Sequence, residues 1–94
     1  MMDFRIKITP TALQDIRGAA KYYNKKQQAL GKKFSLSIDA VISELKTTPA
    51  SGSFMYEEVR YRVAKKFPYN ILYEVMLNNI IIIYRIFNTS QNPF

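Results

Sequence analysis

The spacing of apolar residues changes period at Pro49-Ala50-Ser51-Gly52-Ser53, and this limits the folds open to the chain more than any other feature. Before the junction apolar side chains recur at helical spacing, as in a helix with one buried stripe. After it they alternate or run continuously, as strands do. Proline, glycine and serine at the junction are turn chemistry. A helical half followed by a stranded half, with no linker tract or internal repeat, predicts an α+β domain rather than a series of βαβ units.

Within the first half, Phe4, Ile6 and Ile8 alternate with Arg5 and Lys7, so residues 3–8 read as a short strand. Thr9-Pro10 supplies a capping hydroxyl and a proline at the first helical position. Leu13, Ile16, Ala20 and Tyr23 then form a stripe, with Arg17, Lys21 and Lys25 on other faces, predicting a helix over residues 10–26. Ala29-Leu30-Gly31 interrupts it. Phe34, Ile38, Val41, Ile42 and Leu45 make a second stripe that ends before Thr48-Pro49.

In the second half, Val59, Tyr61 and Val63 alternate with Glu58, Arg60 and Arg62, predicting a strand with an apolar side inward and a charged side outward, stopped by Phe67-Pro68. Tyr69 to Leu77 and Ile80 to Phe87 flank Asn78-Asn79, whose tolerance of positive φ suits a hairpin turn. The unbroken Ile80 to Ile83 run predicts an interior strand. The expected order is β-α-α-β-β-β: a helical hairpin packed on a mainly antiparallel sheet, in one domain over residues 1–94. The pattern leaves the first strand free to pair at either edge.

The chain has no cysteine and no histidine. Disulfides, thiolate or zinc sites and Ser-His catalysis are therefore excluded, and no metal or cofactor is expected. Fourteen Lys and Arg against seven Asp and Glu give a net charge of +7, which calls for a polyanionic partner: nucleic acid, a ribonucleoprotein or an acidic protein segment. Charges at Asp3, Arg5 and Lys7 stand where a signal peptide needs its apolar run, and Ile80 to Tyr84 is too short to span a bilayer. A cytoplasmic protein with no membrane partner is expected.

Four local features resemble one family in order and spacing. They are Ile8-Thr9-Pro10-Thr11-Ala12, Leu30-Gly31, the segment Arg62 to Tyr73 with its Lys-Lys-Phe-Pro-Tyr core, and Phe87-Asn88-Thr89-Ser90-Gln91-Asn92-Pro93. The chain resembles the RelE/ParE superfamily of toxins from type II toxin–antitoxin systems. That resemblance implies a bacterial, growth-arresting, plasmid-stabilising protein neutralised by a cognate antitoxin, which wraps apolar grooves of the toxin. RelE-like members cut mRNA on the ribosome; ParE-like members inhibit DNA gyrase without known catalysis.

RNA cleavage through a ribose 2′-hydroxyl needs a base and charge stabilisation at the phosphate, usually with an acid for the leaving oxygen. Against the RelE-like pattern, Arg62 falls on a basic strand position, but Ala64, Asn70 and Gln91 stand where further cations belong. Asn88 stands where many members carry histidine, and the catalytic tyrosine would lie in a tail beyond Phe94. Glutamine lacks the charge and planar fork of arginine, and asparagine cannot shuttle a proton. The resemblance thus favours a ParE-like, non-enzymatic surface of Arg60, Arg62, Lys65, Lys66, Tyr69, Arg85 and Gln91 that binds gyrase.

One alternative is a metal-independent, ribosome-dependent endoribonuclease acting on mRNA through Arg62, Lys65, Lys66 and Tyr69. In it Arg60 assists at the phosphate and Tyr73 is a second candidate for stacking or proton transfer. Another is a decayed toxin that retains only antitoxin binding. On parity alone Tyr73 belongs to the core with its hydroxyl at the rim, and Tyr22 and Tyr23 are packing residues. Lys25, Lys26, Lys32 and Lys33 flank the helical turn, where they would interact with helix ends or broaden the positive surface. Oligomeric state is left open.

Overall fold

The computed structural model describes residues 4–90. Its elements are β1 (Arg5–Ile8), α1 (Pro10–Lys26), α2 (Leu30–Thr47), β2 (Ser53–Tyr56), β3 (Val59–Val63), β4 (Tyr69–Met76) and β5 (Ile80–Asn88). The strands form one sheet in the order β1-β5-β4-β3-β2. The β1–β5 pair is parallel and the other three are antiparallel. Both helices pack on the same face. The expected α+β order holds, with β2 added as a short edge strand at positions that the alternation after the junction did not single out.

The first helix begins as its sequence predicts. Thr9 is extended and its Oγ1 accepts the Ala12 N–H at 3.0 Å, while Pro10 occupies the first turn. The same hydroxyl donates to the Tyr84 carbonyl at 3.0 Å, tying the helix start to β5. The buried residues of α1 are Ala12 and Ala19, whereas Leu13 of the expected stripe is 38% exposed and Ile16, Ala20 and Tyr23 are half-buried. Two alanines let α1 lie close to the sheet, so the larger Leu13 turns outward. All five members of the α2 stripe are buried, as expected.

The turn between the helices depends on a close approach. Gly31 donates its N–H to Asn24 Oδ1 at 2.8 Å, and a Cβ at Gly31 would stand 2.3 Å from the Ala20 carbonyl oxygen and 2.7 Å from Asn24. Asn24 thus caps the second helix from the end of the first, satisfying an N–H with no intrahelical partner. Lys25 and Lys26 lie in the last turn of α1, where the helix dipole favours cations. Lys32 and Lys33 instead follow Leu30, the start of α2, where it opposes them. The expectation of favourable helix-end contacts therefore fails for the second pair.

β5 lies between β1 and β4, the interior position its apolar run predicts, and Asn78 and Asn79 adopt φ of 65° and 59° in the turn that precedes it. Ile81, Ile83 and Ile86 of β5 join Ile71 and Tyr73 of β4 in the core beneath the helices. Tyr73 is fully buried. Its hydroxyl donates to the Pro49 carbonyl at 2.7 Å and accepts the Gly52 N–H at 2.9 Å, so it is an anchor for the period-changing junction and not a rim group. Among the described residues no helix is long and apolar enough to cross a membrane.

Two stability predictions follow from these contacts. Gly31→Ala should lose about 2 kcal/mol through overpacking, whereas Gly18→Ala, in α1 with nothing within 4 Å of the added Cβ, should gain about 0.5–1 kcal/mol of helix propensity. Tyr73→Phe should lose about 1–3 kcal/mol, because it leaves the Gly52 N–H and Pro49 carbonyl without their partner. Urea unfolding of each variant, followed by far-UV circular dichroism, measures all three differences.

Candidate target-binding surface

Residues opposite one another in antiparallel strands share a face of the sheet. Arg60 stands opposite Tyr73 and Arg62 opposite Ile71, both of which belong to the core under the helices. The two arginines therefore face the helix layer at its edge and not open solvent as the alternation suggested. Alternation gives the parity of a strand but not which face the helices cover. On the other face Val59, Leu72 and Phe87 make a small buried cluster of their own, with Met55, Tyr61 and Tyr84 packed around it, while Val63 is 49% exposed.

Each arginine on this surface is engaged by the protein itself. Arg62 donates from Nη1 to Ser51 Oγ at 2.9 Å and from Nη2 to Glu44 Oε2 at 3.2 Å. Arg60 donates to the carbonyls of Gly52 and Ala50 at 2.8 and 3.2 Å, with its guanidinium 3.8 Å from the centre of the Phe54 ring, a cation–π arrangement. Arg85 meets Asp15 through two bonds, Nε to Oδ2 at 2.8 Å and Nη2 to Oδ1 at 3.2 Å. Asp15 Oδ2 also accepts the Ile86 N–H at 2.9 Å. The hydrogen bond to Asp15 holds the Arg85 guanidinium above its ordinary pKa, partly opposed by burial.

This last pair depends on an irregularity in β5. Leu72 stands opposite Arg85 while Tyr73 stands opposite Ile83, so Tyr84 is one residue extra. Such a bulge re-aims the side chains that follow it. Tyr84 packs with the uncovered-face cluster and donates its hydroxyl to Glu74 at 2.9 Å. Burial first, then that hydrogen bond, raises the Tyr84 pKa.

The lysines are held differently. Lys65 Nζ reaches Glu44 Oε1 at 3.5 Å and is 69% exposed, which makes a weak surface pair. Lys66 is exposed, has φ of 73° and is in no ion pair among the described residues. Tyr69 is half-buried, 4.9 Å from the Phe34 ring and 6.1 Å from Tyr23, and lines a small cleft of about 310 Å³ with Tyr22, Asn88 and Ser90. Burial first, then Tyr69 and Tyr22, raises the Tyr23 pKa and so favours its neutral phenol. Gln91 lies outside the described residues.

Two departures from the nuclease pattern acquire structural reasons. Ala64 is 6% exposed within the main core, where an unpaired cation would be costly to bury. Asn88 Oδ1 accepts both the N–H and the hydroxyl of Ser90, at 2.9 and 2.7 Å, closing a local turn after β5. The arrangement brings Arg62 and Lys65 together at Glu44 but takes Arg85 to Asp15 on the other helix. Asp15, Glu44 and Ser51 were not readable as partners, because the first two pairings join positions 70 and 18 apart in sequence.

The sequence matches the family described as "ParE toxin of type II toxin-antitoxin system, parDE" over residues 6–93. No curated protein matches the chain. Among solved structures it is similar to the chromosomal ParDE toxin–antitoxin system from P. aeruginosa, with 18% identity, a TM-score of 0.69, and coverage of 90% of this chain and 95% of that one. It is also similar to the RelBE2 toxin–antitoxin complex from Mycobacterium tuberculosis, at 15% identity and a TM-score of 0.64, covering 93% and 99% of the two chains. The archaeal RelE–RelB complex from Pyrococcus horikoshii OT3 gives 13%, 0.60, 97% and 100%. At such identities likeness shows the fold, which ParDE and RelBE proteins share, and fold does not select a target. The sequence match is independent of that likeness and spans β1 to β5, and by it the chain belongs to the ParE toxin family of type II toxin–antitoxin systems.

Proposed function

We propose that this protein arrests growth by binding DNA gyrase, without catalysis, and that a cognate antitoxin neutralises it in the cytoplasm. The observation that carries the choice of target is the engagement of all three arginines: Arg60 by backbone carbonyls, Arg62 by Glu44 and Ser51, and Arg85 by Asp15. A phosphoryl transition state is stabilised by donors already aimed at it. In the endoribonuclease alternative Arg62 would have to leave Glu44 and Ser51, and Arg60 its backbone carbonyls, to meet a phosphate.

A binding surface makes smaller demands. Lys65 and Lys66 project from the β3–β4 connection, and the engaged arginines fix its surroundings. The antitoxin partner is supported by the company the fold keeps, since the three similar structures are described as toxin–antitoxin systems or complexes. An excess of seven positive charges suits an acidic antitoxin segment. A role in plasmid stabilisation would follow from that pairing.

Purified protein should block supercoiling by gyrase, and its induction in cells should arrest growth with no codon-positioned mRNA cuts by primer extension. Such cuts with supercoiling intact would establish the endoribonuclease instead, and soluble expression without growth arrest would identify a decayed toxin. Variants separate the roles of the cations. Lys66→Ala should leave the unfolding midpoint within about 0.5 kcal/mol of wild type while weakening gyrase inhibition about tenfold. Arg85→Ala should lose about 1–3 kcal/mol of stability, because Asp15 then keeps only its bond to the Ile86 N–H.

A further inference from the structure

The sheet has two edges, β1 and β2, and they are built differently. β1 sets an exposed cation at every second position, Arg5 and Lys7, a common device by which an edge refuses a further strand. β2 carries no charge and no proline, and Ser53, Phe54 and Tyr56 are exposed, the two rings by 54% and 44%. One side of its backbone has no strand beside it among the described residues. A bulge at Met55, between Phe54 opposite Arg60 and Tyr56 opposite Val59, shortens the regular part of this edge without charging it.

Charge stands instead at the two ends of β2, with opposite sign. At its start Arg60 is held by the Ala50 and Gly52 carbonyls and lies over the Phe54 ring, and it enters no ion pair among the described residues. At its end Glu57 and Glu58 are exposed and likewise enter none. Glu57 has φ of 46°, in a hairpin turn where Asn or Gly is less strained. The turn itself therefore gives no reason for a carboxylate at that position.

We propose that β2 pairs antiparallel with β2 of a second copy of this chain, joining two five-stranded sheets about a twofold axis. In such a pair the end of each strand lies beside the start of the other, so Glu57 of each copy meets Arg60 of the other, and the exposed Phe54 and Tyr56 rings flank the axis. A foreign strand of one charge sign would meet a like charge at one end of β2, and nucleic acid would be repelled by Glu57 and Glu58. Self-pairing satisfies both ends with one sequence. The net charge of +7 opposes it little at physiological salt, where exposed charges more than about 8 Å apart are largely screened. Four-residue strands make a small interface, so a dimer of micromolar strength is expected. The pairing uses the edge of the sheet and none of the lysines of the β3–β4 connection, so its failure and failure of the target reading give different results.

Sedimentation velocity of the purified full chain, over a series reaching high micromolar concentration, tests the pairing. Wild type should pass from monomer to dimer as concentration rises. Glu57→Arg and Arg60→Glu should each weaken the dimer about tenfold or more, because each substitution acts twice across the axis. An equimolar mixture of those two variants should dimerise again, since every charge contact in the mixed pair is then between opposite signs. Phe54→Lys, which puts a cation on this edge as β1 has on its own, should also weaken the dimer, whereas Lys7→Glu on β1 should leave it unchanged. Cooperative urea unfolding of each variant separates loss of pairing from loss of fold, and where Arg60→Glu does not fold, Glu57→Arg and Phe54→Lys carry the test. A monomer at every concentration, a dimer unmoved by Glu57→Arg and Phe54→Lys, a dimer lost on Lys7→Glu, or a mixture of folded variants that dimerises no better than its components would overturn the proposal.

Discussion

Four rings hold the helical hairpin against the sheet. Tyr23 of α1, Phe34 of α2, Phe67 of the β3–β4 connection and Tyr69 of β4 lie with centroids 4.9–6.1 Å apart, mostly edge to face, the arrangement their quadrupoles favour. The cluster joins three parts of the chain that have no continuous backbone hydrogen bonding to one another. Phe67 directly follows Lys65 and Lys66 in the chain, so these two exposed cations are carried on a segment that the cluster anchors. A surface of long, mobile side chains can be specific only if its base is rigid, and the rings supply that rigidity.

The arginines contribute in a second way. Arg85 and Asp15 link β5 to α1, and Arg62 and Glu44 link β3 to α2, so each helix is tied to the sheet by one ion pair. Arg62 and Asp15 are 20% and 16% exposed, a setting in which loss of one partner costs more than the intact pair contributes. Positive charge in a basic protein is thereby divided between groups that hold the architecture and groups left available outside it. Net charge alone could not draw that division.

The sequence was most legible where one residue type has one physical reason to be present. Thr9-Pro10 marked a helix start, Asn78-Asn79 a hairpin turn, and the Phe34 to Leu45 stripe a buried helix face. Leu30-Gly31 was legible as a break, although its reason, an approach too close for a Cβ, lies in α1. Illegible were the features set by distant partners. The orientation of β3 depends on which sheet face the helices cover, the aim of Arg85 on a bulge, and the role of the Tyr73 hydroxyl on a turn it meets only after folding. Of the candidate site, Lys65 and Lys66 stand exposed as their position implied, whereas Arg60, Arg62 and Arg85 are already partnered.

Those two kinds of cation bear on how a toxin of this family can be both stable and controllable. A residue kept in a left-handed conformation, or at the wrong end of a helix dipole, persists where something other than folding stability retains it. Lys66 and Lys33 meet that description, and both line the groove between α2 and the β3–β4 connection. Asp15 and Glu44 are the opposite case: they quench arginines from within the fold, so Arg85 and Arg62 contribute less charge to an outside partner. A partner that covers this groove and a target that needs Lys65 or Lys66 could not both be bound there, and inhibition by occupancy would then require no change in the toxin's shape.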